Sequence, residues 1–499
     1  MKTRWTRRGL LAASASVLAT SALANAPLVT QRPLARRAAP AADLSDTRPR
    51  ARPSTQQIIQ AAGLGGAVGF VIADAETGRV LEAVTPDLPL PPASVAKAVT
   101  ALYALETLGP DHRFDTRLLA TGPVVDGVIE GDLVLAGGGD PLLQTDDLKA
   151  LAQRLTDSGV TALRGALRVW GGALPGLDEI DESQLDHLGY NPAISGLNLN
   201  FNRVYFEWTQ GADGYAVSMD ARSETDKPPV SVARMRIVDR TGPVYAYRDG
   251  GNVDEWSVAR RALGPSGSRW LPVRNPDLYA GEVLAHFLRA GGFAVPDPVR
   301  SDALPEGRVL AAHQSPPLAE VLRGMLRFST NLTAEISGMT ASAARAGGPR
   351  RLRTSALGMT RWADDRAGIA CSFEDHSGLG DASRISAGDM VRLLSAPGVR
   401  GQLDPILRPI AFRDESGNLL SDGPPPVRAK TGTLNFVSTL AGYLTTDSGR
   451  VLAFAIFAAD LAARDRGKAS GEEQPNGSIS YNTRAKRLQQ SLLQYWARG

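Results

Sequence analysis

The stretch "PPASVAKAVTALYALETLG", residues 91–109, places a serine and a lysine three positions apart at the head of a largely apolar segment. From residue 98 onward the apolar residues recur every three or four positions, which predicts a helix with one buried face. Pro91 and Pro92 cannot continue this helix backward, so it begins near Ser94. Ser94 and Lys97 are therefore expected one turn apart on the same face of the helix.

Two interpretations of this pair are open. Ser94 could be an N-cap that satisfies free backbone N–H groups, with Lys97 as a solvated residue of the first turn. Alternatively, Lys97 is a base, because a desolvated lysine can lose its proton whereas arginine stays charged. The chain has 7 Lys among its 55 basic residues, so a lysine on a buried helix looks selected. Composition therefore favours the base.

The N-terminal segments carry the basic character of the sequence. Residues 1–24 combine four Lys and Arg residues, an arginine pair in "TRRGLLA", an apolar run and small residues at the end, which predicts a signal peptide and a periplasmic or otherwise exported protein. The run is too short for a membrane-spanning helix, and so is the apolar run that begins at 451. Residues 25–53, rich in Pro, Ala and Arg, predict a disordered tail.

The charge and the cysteine content argue against a nucleic-acid-binding protein, a fold held by disulfides and a cysteine nucleophile. The formal net charge of +3 becomes −1 without residues 1–24 and about −5 from Ser54 onward, so the body of the protein is a poor nucleic-acid binder. Cys371 is the only cysteine, and the chain therefore has no internal disulfide. No pattern around Cys371 supports a nucleophile, which favours a buried small residue.

The order of the patterns predicts an α+β fold. Two strands, 67–75 and 78–84, form a hairpin before the Ser94 helix, and two more strands, "LNFVSTLAGYLTT" and "GRVLAFAIFAADL", form a second hairpin before a final amphipathic helix. We expect an antiparallel sheet completed by both ends of the chain and flanked by helices. Residues 54–113 and 308–499 would form this domain, and 114–307 a large β-rich inserted region of one or two domains.

Three short motifs carry the candidate chemistry: Ser94-Val95-Ala96-Lys97, Ser329-Thr330-Asn331 and Lys430-Thr431-Gly432-Thr433. Each is weak when taken singly. Their placement is informative, because the first opens a helix after a hairpin, the second lies beside a helix and the third begins a strand. Together, in this order, they correspond to the S-x-x-K, S-x-N and K-T-G motifs found in penicillin-binding proteins and class A β-lactamases.

The sequence accordingly resembles the penicilloyl-serine transferases. The interval from 97 to 329 is too long for a class A β-lactamase and resembles the class C low-molecular-mass penicillin-binding proteins of the D-alanyl-D-alanine carboxypeptidase and endopeptidase type, peptidase family S13, the penicillin-binding protein 4 group. Further similar stretches are "GDLVLAGGGDP", "SGLNLNFNRV" and "VRAKTGTLNFVSTLAGYL". Thr330 departs from the frequent Asp, and 375–386 varies on the Ser-Gly-Leu segment. The resemblance implies a β-lactamase/transpeptidase-like sheet.

The residue types suit attack on a carbonyl. Ser94 would be the nucleophile and needs a base within hydrogen-bond reach, which neutral Lys97 supplies. Burial and the second ammonium, Lys430, would both lower the pKa of Lys97. Ser329 could relay the proton to the leaving D-alanine nitrogen, and Asn331 could orient Lys97 and the substrate amide.

The third motif would bind the substrate. Lys430 and Thr431 are expected to hold its terminal carboxylate, and Gly432 lets its backbone lie along the strand. The N–H groups of Ser94 and Thr433 would form the oxyanion hole.

Rival constellations are weaker. No spacing predicts a metal site or a cofactor, no G-x-S-x-G elbow is present, and "GGGD" at 137–140 indicates a turn because no Lys-Ser/Thr follows it. The histidines are scattered, and His376 beside Asp375 is interpreted as a structural loop residue near the cleft; they are His112, His187, His286, His313 and His376.

The primary hypothesis is an exported serine DD-peptidase that acts on peptidoglycan stem peptides, as carboxypeptidase or endopeptidase, and is acylated by β-lactams. The alternatives are a serine β-lactamase, which would need a water-activating group, and a non-catalytic cell-wall-binding scaffold. No E-x-x-L-N string suggests such a group, and retention of Lys97 and Lys430 in an arginine-rich chain opposes the scaffold.

Overall fold

The computed structural model describes residues 53–413, 418–419 and 427–498. The predicted signal peptide and, apart from Pro53, the predicted tail lie outside those residues. The helices are α1 Thr55–Ala61, α2 Ala96–Leu108, α3 Thr145–Asp157, α4 Pro276–Ala290, α5 Leu318–Phe328, α6 Asn331–Ala346, α7 Leu352–Ala367, α8 Ala387–Leu394, α9 Val399–Leu403, α10 Leu461–Ala469 and α11 Ser478–Ala497.

Six sheets are assigned within the described residues. Their strands are β1 Ala67–Asp74, β2 Val80–Val84, β3 Asp115–Ala120, β4 Val124–Val125, β5 Val128–Ile129, β6 Leu133–Gly137, β7 Ala162–Leu163, β8 Leu167–Trp170, β9 Arg203–Gly211, β10 Gly214–Asp220, β11 Ala233–Val238, β12 Tyr245–Asp249, β13 Asp254–Ala259, β14 Ser266–Pro272, β15 Pro298–Arg300, β16 Arg308–Gln314, β17 Cys371–Ser372, β18 Arg384–Ile385, β19 Arg408–Ile410, β20 Val427–Leu434, β21 Val437–Thr445 and β22 Val451–Ala459.

The largest sheet joins both ends of the chain, which confirms the predicted α+β fold. Its order is β19, β20, β21, β22, β1, β2, and every neighbouring pair is antiparallel. Strands β1, β21 and β22 are nearly continuous runs of buried residues, because helices cover both faces of the sheet. A hydrophobic segment of this length would otherwise expose alternate side chains to water.

The side chains of β1 point alternately into two hydrophobic cores, one on each face of the sheet. Phe70 and Ile72 face one side and pack with Trp496 of α11, whereas Val71 and Ala73 face the other side and join the core made with α2 and α5 to α8. The second core contains the helix of the opening motif. Residues 96–105 of α2 are all buried, and the helix ends at Gly109, whose φ of 84° an L side chain rarely adopts.

A further hydrophobic core draws its residues from positions 118 to 311. It packs α3 and α4 against a five-stranded sheet of order β15, β8, β6, β3, β16 and two three-stranded sheets, β10, β9, β14 and β11, β13, β12. Strand β16, which begins at Arg308, pairs with β3 in the five-stranded sheet. The division of the chain at 113/114 and 307/308 stays a prediction.

None of the helices within the described ranges is both long and apolar enough to cross a membrane.

Candidate active site

Ser94 lies in a short 3-10 turn, Ala93–Val95, that leads directly into α2. The N-cap position of α2 is held by Val95, without a side-chain cap bond, so the interpretation of Ser94 as a helix cap is wrong. The Oγ of Ser94 is instead 2.9 Å from the Nζ of Lys97. The turn therefore presents the serine hydroxyl to the lysine rather than to the free backbone N–H groups.

Lys97 is wholly buried and its ammonium has three partners. Besides Ser94 Oγ, Nζ donates to Asn331 Oδ1 at 2.7 Å and to the backbone oxygen of Ser377 at 2.8 Å. Burial lowers the pKa of Lys97 below its usual range, and the negative charges of Glu335 and Asp375 oppose this effect. A lysine held in this way can exchange its proton nearer to neutral pH than a solvated one.

Ser329 and Asn331 lie where α5 ends and α6 begins. Ser329 adopts a left-handed conformation, φ 60° and ψ 37°, which is uncommon for a residue with a side chain. Asn331 bridges two parts of the site, because its Oδ1 accepts from Lys97 and its Nδ2 donates to the backbone oxygen of Tyr190 at 2.7 Å. Backbone strain of this kind tends to occur at functional sites.

Lys430 opens the third motif on β20 and is buried. Its Nζ donates to Ser329 Oγ at 3.0 Å and to the backbone oxygen of Thr431 at 2.6 Å. We expected Lys430 to lower the pKa of Lys97. In the structure the charge effect appears on Lys430 itself, whose pKa is lowered first by burial and then by Lys97 and Arg408.

The rest of the third motif leaves an open edge beside Ser94. Strand β19 pairs only with residues 427–429 of β20, so 430–434 have a strand neighbour on one side alone within the described chain. A Cβ at Gly432 would lie 2.1 Å from Thr439 Oγ1 and 2.9 Å from Ser94 N, so only glycine allows this approach. Thr433 is exposed and Thr431 half-buried, and neither hydroxyl has a hydrogen-bond partner among the described residues.

The three motifs thus converge: Lys97 bonds Ser94 and Asn331, Lys430 bonds Ser329, and the charge of Lys97 acts on Lys430. A family model described as the D-Ala-D-Ala carboxypeptidase 3 (S13) family matches residues 53–474. The chain belongs to this family. It is accordingly an enzyme, a peptidase of the serine type.

Curated relatives of the S13 chain cover most of its length. A D-alanyl-D-alanine carboxypeptidase of an Actinomadura species is 28% identical over 81% of this chain and 80% of its own. A carboxypeptidase of Mycobacterium tuberculosis is 29% identical over 86% of this chain and 84% of its own. The D-alanyl-D-alanine carboxypeptidase DacB of Haemophilus influenzae is 25% identical over 79% of this chain and 85% of its own.

Solved structures support the same fold. The crystal structure of penicillin binding protein 4 from Haemophilus influenzae has a TM-score of 0.70 to this chain, with 21% identity, and covers 89% of this chain and 100% of that one. A second structure of that protein, complexed with a β-lactam, has a TM-score of 0.69. The likeness shows that the S13 chain has the transpeptidase-like fold predicted from its sequence.

Sequence analysis missed the buried carboxylate of Glu335 in this S13 site. Glu335 is fully buried on α6 and accepts from the backbone N–H groups of His376 and Ser377 at 2.8 and 2.9 Å. Asp375 accepts from Gly378 and Gly380 at 2.6 Å each. These carboxylates fix the segment that offers the Ser377 oxygen to Lys97. Asp375 is distant in sequence from all three motifs. Glu335, however, lies four positions after Asn331 on the same helical face, and this spacing is the signal that could have indicated it.

His376 and Cys371 have no direct contact with the three motifs. His376 is fully buried, with Nε2 2.7 Å from Ser355 Oγ, and burial lowers its pKa to about 3, so it is a neutral packing residue. Burial raises the pKa of Cys371 to about 12, which leaves its thiol protonated. In the described part of the chain, no group of three or more His, Cys, Asp or Glu side chains could hold a metal ion.

Proposed function

We propose that this S13 enzyme is an exported serine DD-peptidase that cleaves the D-Ala-D-Ala end of peptidoglycan stem peptides, and D,D cross-links of the same chemistry, through an acyl-Ser94 intermediate. The contact of 2.9 Å between Lys97 Nζ and Ser94 Oγ carries this proposal. It pairs a hydroxyl nucleophile with a buried base, which is the minimum that acyl transfer by serine requires. The names of the relatives from Actinomadura and Haemophilus influenzae support the substrate class.

Acylation begins when neutral Lys97 removes the proton of Ser94 while Oγ attacks the carbonyl of the penultimate D-alanine. The new Oγ–C bond forms as the C–N bond to the terminal D-alanine breaks. The leaving nitrogen takes the proton of the Ser329 hydroxyl, and the proton that Lys97 took from Ser94 replaces it, so Lys97 is neutral again. Lys430, whose Nζ donates to Ser329 Oγ at 3.0 Å, orients this hydroxyl and keeps its own proton. Asn331 keeps Lys97 in place, and its position beside the site allows it to contact the substrate amide.

Substrate binding uses the open edge of β20. An extended peptide beside residues 430–434 can add as a further strand, and its terminal carboxylate would be received by Lys430 and Thr431. The N–H groups of Ser94 and Thr433 would stabilise the oxyanion, which is commonly the largest single contribution to catalysis. Water then hydrolyses the acyl-enzyme, with Lys97 again as the base.

A β-lactam would acylate Ser94 by the same attack, but its leaving group stays attached and blocks the approach of water. The structure with a β-lactam belongs to the Haemophilus influenzae protein and supports this expectation by likeness of fold. Export is proposed from the pattern of residues 1–24, and the protein would act in the periplasm or outside the cell after their removal.

Muropeptides test the proposal directly. The mature protein, beginning at residue 25, is incubated with cross-linked and uncross-linked muropeptides, and mass spectrometry follows D-alanine release against loss of cross-links. We expect repeated turnover of at least one substrate and a penicilloyl-enzyme that persists for minutes to hours. Rapid catalytic hydrolysis of penicillin with no peptide turnover would contradict the peptidase proposal and identify the protein as a β-lactamase. Binding to cell walls without turnover of muropeptides or penicillin would favour the non-catalytic cell-wall-binding scaffold.

A further inference from the structure

His376 has a buried polar side chain that takes no part in the proposed mechanism. It lies directly before Ser377, in the segment 375–380, and has no exposed surface. Its Nε2 atom is 2.7 Å from Ser355 Oγ of α7. Ser355 is fixed in turn, because its Oγ donates to Ser342 Oγ at 2.7 Å. A polar group in a hydrophobic core is stable only with a partner, so this chain of bonds holds the ring in one place.

Helix α6 leaves room for this ring. A Cβ at Gly338 would lie 2.2 Å from both Cγ and Nδ1 of His376, so only glycine fits at this position. Glycine is less favourable than alanine in the interior of a helix. The ring also stacks on Tyr103 of α2, with 6.4 Å between the ring centres and 8° between their planes. The pocket among α2, α6 and α7 is therefore shaped for the His376 ring, although its glycine weakens α6.

The backbone of the same segment is bonded to α2 and α6. The N–H of His376 donates to Glu335 Oε2 at 2.8 Å, and its oxygen accepts from Thr100 Oγ1 at 2.6 Å. The N–H of Ser377 donates to Glu335 Oε1 at 2.9 Å. The peptide unit between His376 and Ser377 is planar, so it moves as one piece with the Cα of His376. The position of the following carbonyl, that of Ser377, therefore depends on where the His376 ring is held.

The Ser377 carbonyl determines the direction of the lone pair of neutral Lys97. The Nζ atom is within hydrogen-bond distance of three oxygens, Ser94 Oγ at 2.9 Å, Asn331 Oδ1 at 2.7 Å and Ser377 O at 2.8 Å. A neutral amine has two protons and one lone pair. Carbonyl and amide oxygens only accept, so Asn331 and Ser377 take the two protons and the lone pair faces the hydroxyl of Ser94. A displaced Ser377 oxygen would release one proton and let the amine turn away from the hydroxyl.

We propose that His376 is a positioning residue for the base. Its ring, bonded to Ser355 and seated against Gly338, keeps the Ser377 carbonyl where it receives one proton of neutral Lys97. This inference rests on the proposed function, in which neutral Lys97 is the base. A base that is oriented in advance needs no rearrangement before it accepts the proton.

The ring differs from the carboxylates that hold the same segment. Glu335 and Asp375, which accept from its backbone N–H groups, have pKa values that depend on the charge of Lys97. Their hydrogen bonds therefore change in strength when Lys97 gains or loses a proton. Burial lowers the pKa of His376 to about 3, so the ring is neutral in either state of Lys97. His376 thus holds the segment in place throughout the proton transfers.

Three variants of the mature enzyme test the role of the ring. His376→Leu keeps most of the buried volume without a polar atom, Ser355→Ala removes the partner of the ring, and His376→Gln keeps an amide that can bond Ser355. We expect kcat for a D-Ala-D-Ala peptide to fall about 10-fold at unchanged KM in the first two variants, because catalysis is sensitive to small displacements, and to recover in His376→Gln. The first-order rate constant of acylation by a chromogenic β-lactam should change in parallel, and it does not depend on the fraction of enzyme that is folded.

Tyr443→Phe is the control for lost stability. The Tyr443 hydroxyl donates to the Leu394 oxygen at 2.8 Å in the hydrophobic core that contains α2, so its loss should lower the unfolding temperature and leave the acylation rate constant unchanged. The inference is overturned if His376→Leu and Ser355→Ala are acylated at the wild-type rate, or if only KM changes.

A failure of the proposed function gives a different result, because the wild type would then neither turn over the peptide nor react with the β-lactam. Hydrogen exchange of residues 375–380, followed by mass spectrometry, needs no activity and still decides whether His376 anchors the segment. Exchange should be faster in His376→Leu and Ser355→Ala than in the wild type and Tyr443→Phe. Equal exchange in all four proteins would overturn the anchoring.

Discussion

Lys97 and Lys430 are both buried in the candidate site, but they lie in regions of different electrostatic character. The helical side, formed by Ser94–Lys97, Glu335 and 375–380, surrounds Lys97 with three acceptors and two carboxylates. The sheet side, Lys430–Thr433, gives Lys430 a hydroxyl and a carbonyl, and no described carboxylate forms an ion pair with it. An incoming substrate carboxylate would be the first counterion of Lys430.

This difference suits the two lysines to the different roles proposed for them. The helical side fixes Lys97 in a single position and balances burial against negative charge, as a base that must lose and regain a proton requires. The sheet side leaves Lys430 without a described counterion, and a bound carboxylate would favour its charged form, which suits the proposed receptor for the substrate carboxylate. Substitutions on the two sides should therefore fail in different ways.

The largest effect is expected at Ser94. Ser94→Ala should abolish both peptide turnover and covalent labelling by penicillin, because the attacking oxygen is removed. Ser386→Ala is the matched control: its Oγ caps α8 by accepting from Asp389 N at 3.0 Å, so its loss should cost about 1 kcal/mol of unfolding free energy without affecting labelling. Mass spectrometry of the penicillin-treated proteins measures both, and label on another residue of Ser94→Ala would disprove the assignment.

The next effect compares the two lysines. Lys97→Met and Lys97→Arg should both lower kcat by about 10²- to 10⁴-fold, because each lacks a base even though arginine keeps the charge. Lys430→Met should act more on KM, since it removes the cation that meets the substrate carboxylate. Separate values of kcat and KM distinguish the two, and thermal unfolding checks that each variant folds. A Lys97→Arg enzyme with normal turnover would contradict the division of roles.

The sequence alone predicted the features that depend on local patterns. The two hairpins, the helix from Ala96 to Leu108 and the motif residues follow from periodicity, prolines and short spacings, and the structure has the two hairpins in one sheet. The sequence did not predict the backbone oxygens in distant segments that accept hydrogen bonds from Lys97 and Asn331. Ser377 lies 280 residues from Lys97, and Tyr190 lies 141 residues from Asn331.

The missed contacts share a physical reason. Both use backbone oxygens, which every residue carries, so no residue type in the sequence marks them. The carboxylates that hold the Ser377 segment bind backbone N–H groups and are equally unmarked. Such positions become visible only when the chain is folded, whereas a lysine among 48 arginines is already visible in the composition.

A smaller effect tests the link between the two sides. Ser329→Ala should lower kcat by about 10²-fold, because the hydroxyl that joins Lys430 to the leaving nitrogen is lost. Thr330→Ala is the neighbouring control, since Thr330 is the N-cap residue of α6, its Oγ1 donates to Thr333 Oγ1 at 2.9 Å, and it has no described hydrogen bond to either lysine. Stopped-flow acylation by a chromogenic β-lactam and peptide turnover should both decline in the first variant only. Equal rates in the two variants would remove Ser329 from the proton path.

The smallest effect is a shift rather than a loss, and it isolates the electrostatics of the helical side. In the proposed mechanism neutral Lys97 is the active form, so kcat/KM should rise with pH as Lys97 deprotonates. Burial and the neighbouring charge of Asp375 raise the pKa of Glu335, and where Glu335 is ionised its negative charge raises the pKa of Lys97. Glu335→Gln removes this charge, so the pKa of Lys97 falls and the rising limb should move to lower pH, by up to about one unit. Glutamine also loses one acceptor for the backbone of 376–377, which lowers the unfolding temperature, but a purely structural loss would not move the pH profile. Glu320→Gln, on the exposed face of α5, should leave the limb in place, and a limb that moves to higher pH in Glu335→Gln would show that the carboxylates do not control Lys97.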